Sequence, residues 1–374
     1  MRIGGRAGAL LACGALLLLG GCATPPRPKA PPRSPVEVRT QLVELLPSSL
    51  ADREGWATDI QSAFQLLDIP PSTENLCAAL AVTEQESTYS ADPVVPNLAK
   101  IARGEIDRRA AQLHIPQILV RAALSLSSPN GKSYGERIAA VRTEKELSQL
   151  FEDFIGKVPL GKRLFDDANP VRTGGPMQVS IAFSERHAHA HGYPYAADDS
   201  IRHEVFTRRG GMYFGIAHLL GYENSYERHL FRYADFNAGW YASRNAAFQA
   251  AVTMASGVPL ALDGDLILHD NARRDRKTGA TEAAVRSLRT QLGVSDAAIG
   301  RALDQGDRFE FEQSDLYERV FTLAERTAGQ SLPRAVVPRI TLESPKITRK
   351  LTTEWFATRV QERYQRCVNK AFGG

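Results

Sequence analysis

Residues 75–93, read as N-L-C-A-A-L-A-V-T-E-Q-E-S-T-Y-S-A-D-P, constrain the fold more than any other stretch of the chain. The run 76–82 is apolar on every side, and Glu84, Gln85, Glu86 and Ser87 follow it. A helix with no polar face is normally the buried central helix of its domain. Ser72 or Thr73 can cap its start, and Glu74 in the first turn complements the helix dipole. Asp92-Pro93 is expected to stop it, because the residue before a proline is pushed out of the helical region. A carboxylate at the end of such a helix is a good general acid, since desolvation raises its pKa toward neutrality. Glu84 and Glu86 are two residues apart, at about 100° per residue, and so point to roughly opposite sides of the helix. The residues alone leave open which of them faces a cleft, and a solvated pair at a fraying helix end is the bland alternative.

The N-terminus reads as a targeting segment. Arg2 and Arg6 supply positive charge, and residues 7–19 form an apolar core too short to span a bilayer stably. The core runs into Leu19-Gly20-Gly21-Cys22, which resembles the bacterial lipobox. That resemblance implies a signal peptide over 1–21 and a lipidated Cys22; Ala23, in place of aspartate, implies sorting to the outer membrane, facing the periplasm. Several acyl chains make a stable anchor, each buried CH₂ contributing about 0.8 kcal/mol. Residues 22–36, rich in proline with interleaved Arg27, Lys29 and Arg33, read as a tether. Extended at about 3.1 Å per residue, it would hold the domain a few tens of Å from the membrane. The formal charge of +4 falls by two when Arg2 and Arg6 are removed, which does not argue for a nucleic-acid partner. Of the four cysteines, Cys77 and Cys367 remain in the folded part. An oxidising periplasm permits a disulfide between them, and a buried free thiol at Cys77 is the alternative.

The remaining periodicity is helical, and the fold class is mainly α. Trp56, Ile60, Ala63, Phe64 and Leu67 form one stripe closed by Pro70-Pro71. Helices are expected over 98–114, 118–126, 138–154, 206–222, 233–256 and 352–372, with a loop at 127–131. Residues 336–340 are the nearest approach to a strand, confined to a sheet edge by Pro338.

Three further segments join the core helix: Gly174-Gly175-Pro176-Met177-Gln178-Val179-Ser180, Arg209-Gly210-Gly211-Met212-Tyr213-Phe214, and Ala234-Asp235-Phe236-Asn237-Ala238-Gly239. Together with Glu86-Ser87 they resemble, in order, the motifs of the lysozyme-like lytic transglycosylases: a Glu-Ser pair, a Gly-Leu-Met-Gln turn, a helix with a glycine and an aromatic, and a Tyr-Asn-Ala-Gly turn. The resemblance spans about 72–255 and selects Glu86 as the catalytic residue. It implies a lysozyme-like core within 37–374, a helical insertion at about 100–172 packed beside the cleft, and a C-terminal extension over 256–374. It also implies a peptidoglycan substrate. Glu86 would protonate the glycosidic oxygen and then take the proton of the muramyl C6 hydroxyl, closing a 1,6-anhydro ring without a second carboxylate, a metal or a cofactor. Ser87, Gly175, Met177, Gln178, Tyr213, Phe236 and Asn237 are the implied glycan contacts. Gly175 would permit close backbone approach to sugar, Met177 would form an apolar wall, and Gln178 and Asn237 would bond ring substituents.

Two departures keep a non-catalytic peptidoglycan-binding lipoprotein open. Phe236 stands where the family has tyrosine, leaving Tyr233 or Tyr241 to replace its hydroxyl, and the Gln178 motif lies 92 residues after Glu86. A water-using muramidase is the chemically adjacent option, with Asp198-Asp199 as a pair that could activate water and a loop or capping pair as its plainer reading. His187, His189 and His191 alternate with alanine; a strand would align all three, a helix only His187 and His191, and a solvated cleft-edge loop is preferred to a zinc site. His203-Glu204 lacks the second histidine of a zincin motif, Thr207 standing in its place.

Overall fold

The computed structural model describes residues 33–157, 168–197, 199–269, 276–342 and 351–373. Cys22, the signal segment, nearly all of the tether and Asp198 lie outside them. Helices dominate, as the periodicity requires. The first three, α1 (Pro35–Leu45), α2 (Arg53–Leu66) and α3 (Thr73–Ser87), open the main core. Four more follow: α4 (Leu98–Gln112), α5 (Gln117–Leu124), α6 (Tyr134–Ala140) and α7 (Glu144–Gly156). A hairpin of β1 (Thr173–Gly174) and β2 (Val179–Ser180) leads into α8 (Ile181–His191), α9 (Ile201–Val205), α10 (Arg208–Leu220), α11 (His229–Ala238) and α12 (Ala242–Ser256). Beyond a second two-residue pair, β3 (Leu268–His269) with β4 (Arg276–Lys277), come α13 (Ala280–Ser287), α14 (Arg289–Leu292), α15 (Asp296–Leu303) and α16 (Asp315–Ala328). A third pair, β5 (Thr341–Leu342) with β6 (Leu351–Thr352), precedes α17 (Thr353–Phe372). No helix among the described residues is long and apolar enough to cross a membrane.

The core helix α3 is enclosed as its composition demands. Leu76 through Thr83 are buried without interruption, and Ser72 caps the start by accepting from Asn75 N–H. Its end differs from the expectation at Asp92-Pro93. The chain turns at Thr88 and Tyr89, with φ of 52° and 61°, left-handed values that cost a non-glycine residue about 1–2 kcal/mol each. Burial of Tyr89 edge-on against Trp56, with its hydroxyl donating to Leu80 C=O, offsets that cost and fixes the chain immediately beyond Glu86.

The domain boundaries fall elsewhere than the motif span implied. Pro35 and Val36, expected in the tether, form the first turn of α1, capped by Ser34. Both α1 and α2 belong to the main apolar cluster with α3, α10 and α11, whereas α12 supplies Phe248, Ala251 and Val252 to a second cluster shared with α13, α15 and α16. The last helix is no extension: α17 returns to pack on α3 and α11, burying Phe356, Ala357 and Val360. Residues 98–156 do form a helical unit with a small core of its own around Tyr134, Ile138 and Leu150. The stretch expected as one helix over 138–154 is broken at Thr143, which caps α7 through a capping box with Glu146. Likewise 233–256 divides at Gly239, whose φ of 107° no side chain accommodates. Residues 336–340 are not a strand; Val336 and Arg339 donate to Ser243 and Leu262 carbonyls, and pairing begins at Thr341.

Cys77 and Cys367 form a disulfide across 290 residues of sequence, joining α3 to α17. Cross-linking a loop that long removes denatured-state entropy worth on the order of 5–6 kcal/mol in the chain-entropy model. The Cys77→Ser/Cys367→Ser variant is therefore expected to show a markedly lower midpoint in urea than the oxidised protein, and reductant should have no further effect on it.

Candidate active site

Residues two apart on α3 are indeed divided. Glu84 turns toward α17, where Arg366 bonds it at 2.9 Å and Arg363 lies at 3.5 Å. Glu86, half-buried, turns the other way and lines a cleft of about 1310 Å³. That volume exceeds what a small-molecule site needs, roughly 300–1,000 Å³, and suits an extended chain ligand.

One wall is built on the β1–β2 hairpin. Its turn, Gly175-Pro176-Met177-Gln178, is tied to the end of α3 by Ser87 Oγ, which donates to Pro176 C=O at 2.7 Å. The same turn lies against the glycine face of α10. A Cβ on Gly215 would meet Met177 Sδ at 2.4 Å, and one on Gly211 would meet Pro176 at 2.3 Å. Gly175 has φ +72° and would clash with Val205 C=O, so its missing side chain admits protein backbone and not sugar. Met177 is fully buried against Gly215 and forms no wall of the cleft. Gln178 does line it, held by its amide donating to Gly175 C=O and by Thr173 Oγ1 donating to its carbonyl oxygen. Ser87, Gly175 and Met177 therefore position the turn, and Gln178 faces the ligand space.

The three histidines of the alternating segment stand on α8, not on a loop. Helical spacing aligns Phe183, His187 and His191 along the cleft, with Phe183–His187 and His187–His191 ring centroids 5.6 and 4.7 Å apart, and leaves His189 off it. Among the described residues no cluster fit to hold a metal is present. Tyr213 is buried behind this wall, its hydroxyl 3.5 Å from His187 Nε2, and touches no cleft space. His218, from α10, packs between Phe183 (4.5 Å) and Phe236 (4.9 Å). Its carbonyl accepts from Trp240 Nε1 at 2.7 Å, which sets the indole at the mouth of the same aromatic group. Burial, with Arg186 nearby, pushes the His218 imidazole down to about 4, so it is neutral at physiological pH.

The opposite wall comes from residues 236–242, 264–267 and 303–308. Phe236 and exposed Asn237 line it, with Asn237 Oδ1 accepting from Thr353. The candidate substitutes for the missing hydroxyl do not reach it. Tyr233 is fully buried beside His229 and Tyr364, and Tyr241 donates to Glu223 C=O. The loops of this wall hang on the polar face of α12. Buried Arg244 donates to the carbonyls of Gly306 and Arg308, both at 2.6 Å, while Asn245 reaches Gly264 and Gly306, and Gln249 grips Asp263, Gly264 and Asp265. At the head of α12, buried Asp235 accepts from Tyr222, Tyr226 and the N–H groups of Tyr241 and Ser243; burial outweighs these bonds and raises its pKa. Sequence reasoning found only Phe236 and Asn237 of this wall and missed the loops 264–267 and 303–308. Their one available signal was the set Arg244, Asn245 and Gln249 inside an alanine-rich helix, polar groups that must find partners when buried.

The other candidates are occupied elsewhere. Asp199 lies 2.8 Å from His203, whose other nitrogen is 2.7 Å from Glu152 on α7, so Asp199 joins the helical unit to the body instead of activating water in the cleft. Glu204 is buried under Tyr193 and Arg209. No residue of α4–α7 lines the cleft, contrary to the placement expected for the insertion. Among the described lining residues are four carboxylates, Glu86, Asp265, Asp304 and Asp307, against the guanidinium groups of Arg186 and Arg308. A polyanion is a poor fit to that balance; a neutral, hydroxyl-rich chain with apolar ring faces suits the aromatic group and the amides.

Two outcomes follow from this geometry. Gly215→Ala forces a methyl into Met177 and is expected to lower stability by about 1–3 kcal/mol in urea unfolding. For His218 the folded pKa lies below the unfolded value, so its contribution is complete above pH 6.5 and is lost as pH falls toward 4. Denaturation at pH 7 and pH 5 should differ by about 2 kcal/mol from this residue, and His218→Phe should remove that part of the slope.

The family described as "Protein of unknown function (DUF1615)" matches residues 49–370. The uncharacterized protein YaiW of Escherichia coli (strain K12) is 54% identical over 357 residues, 95% of this chain and 96% of its own length. No solved structure matches. The matched span holds α3, both walls of the cleft and the disulfide, and the chain belongs to this DUF1615 family.

Proposed function

We propose that the protein is a murein lytic transglycosylase, anchored at the outer membrane through Cys22 and cutting the MurNAc–GlcNAc bond of peptidoglycan in the periplasm. The observation that carries the reading is the delivery of half-buried Glu86, by a fully enclosed helix, to an extended cleft with an aromatic group and amide side chains on its walls. The protonated Glu86 gives its proton to the glycosidic oxygen as the bond to muramyl C1 breaks. Its carboxylate then accepts the C6 hydroxyl proton as O6 bonds to C1, which returns Glu86 to its starting state and consumes no water. In this reading Gln178 and Asn237, which line the cleft, orient ring substituents, and Phe183, Phe236 and Trp240 offer apolar faces to the sugars.

A second reading, a glycan-holding lipoprotein without activity, draws support from the absence of a tyrosine hydroxyl at Phe236, with Tyr233 and Tyr241 both turned away. The two separate in one experiment. Chain from Arg33 onward, which keeps the Ser34 cap, is incubated with purified sacculi beside Glu86→Gln, and released fragments are weighed by mass spectrometry. Anhydromuramyl ends that vanish in Glu86→Gln are the expected result. Reducing ends would make the enzyme a muramidase, and sedimentation with sacculi without any release would leave the binding protein.

A further inference from the structure

The helical unit of residues 98–156 carries a surface that neither its small core nor the cleft uses. Leu113, Ile115, Ile118, Leu119 and Leu126 are all exposed, Leu113 to 71% and Ile118 to 67%. Helix α5 buries Val120 and half-buries Ala123 and Leu124, a face at i, i+3 and i+4. On another side of α5 Ile118, Leu119 and Ala122 are exposed, and so are Ile115, just before the extended Pro116 cap, and Leu126, just beyond the end of the helix. Gln117, Arg121 and Ser125 occupy the flank between. A surface helix of a globular protein keeps one apolar stripe and turns polar residues outward; this one has a second stripe facing solvent. Exposed apolar residues in such density mark an interaction surface.

Charge selects the partner. Between Asp107 and Glu136 the sequence has no carboxylate, while Arg108, Arg109, His114, Arg121 and Lys132 all fall there. Glu105 engages Arg108 and Arg109; Arg121 is exposed on the polar flank of α5, and Lys132 is exposed in the loop that follows it. An exposed apolar helix face whose own segment carries cations and no carboxylate is the chemistry of a helix lying in a membrane interface, its apolar side chains at the headgroup–acyl boundary and its cations on lipid phosphates. A purely apolar protein partner gives no reason for the one-sided charge. We propose that residues 113–126 rest on an anionic lipid surface, seating the body of the protein on the bilayer independently of the catalytic reading of Glu86. An N-terminal lipid anchor would keep the chain within a few tens of Å of that surface, so even a weak contact would be populated.

Hydrogen–deuterium exchange on the full chain tests this, in phosphatidylethanolamine–phosphatidylglycerol vesicles, in phosphatidylcholine vesicles and in detergent. Exchange over 113–126 is expected to slow several-fold in the phosphatidylglycerol vesicles alone, to recover at high salt, and to be unprotected in Ile118→Ser/Leu119→Ser, two exposed positions whose replacement leaves the core intact. Equal exchange in all three media would overturn the proposal. So would protection that appears without vesicles and rises with protein concentration, since a second copy would then cover the face. Sacculus digestion by the Ile118→Ser/Leu119→Ser variant separates the two readings, because the cleft contains no residue of α5.

Discussion

A helix without a polar face must be covered on every side, and the covering of Thr73–Ser87 decides where most of the other elements go. α17 closes one side and is fastened there by the Cys77–Cys367 disulfide. α10 closes another, with Thr83 Oγ1 lying 3.6 Å from Met212 Sδ. Because the helix cannot shift within that enclosure, its last turn is a fixed point. Glu84 and Glu86 emerge there on opposite sides, one to ion pairs and one to the cleft. The left-handed pair Thr88–Tyr89 then turns the chain away, so α3 runs only one residue past the carboxylate, to Ser87.

The second organiser works by the opposite chemistry. Helix α12 is buried yet carries Arg244, Asn245 and Gln249, and each buried polar group must find a partner. Loop carbonyls from 263–265 and 306–308 supply those partners, so desolvation of α12 is what gives the far wall of the cleft its shape. The cleft thus lies where an apolar core and a polar-anchored cluster meet, with Phe236, His218 and Trp240 at the seam. Glycines contribute by absence: Gly211 and Gly215 let the hairpin turn approach α10 closely enough for Ser87 to hold it.

Several features were legible because they rest on local rules. The buried helix, its Ser72 cap, the stripe of α2 and the opposed directions of Glu84 and Glu86 all follow from the periodicity of one segment. The alignment of His187 with His191 on a helix follows from spacing too, although the alternation with alanine favours a cleft-edge loop. What failed was the direction assigned to individual side chains around the turn and on α10. Gly175, Met177 and Tyr213 lie near the cleft in space but face Val205, Gly215 and His187 respectively. Side-chain direction at a turn depends on the partner packed against it, and that partner lay some thirty or more residues away along the chain for Gly175 and Met177.

The sequence by itself determined that the chain is mainly helical, that one helix is its centre, and that a carboxylate stands at that helix's end, because each of these depends on residues within a few turns of one another. Tertiary structure alone decided which residues share the cleft with Glu86. It placed loops 264–267 and 303–308 opposite Gln178, made α17 part of the core, and kept the helical unit of 98–156 away from the site. Those placements depend on buried hydrogen bonds and apolar contacts between segments as far apart as residues 77 and 367, and no local pattern encodes which distant partner will satisfy them.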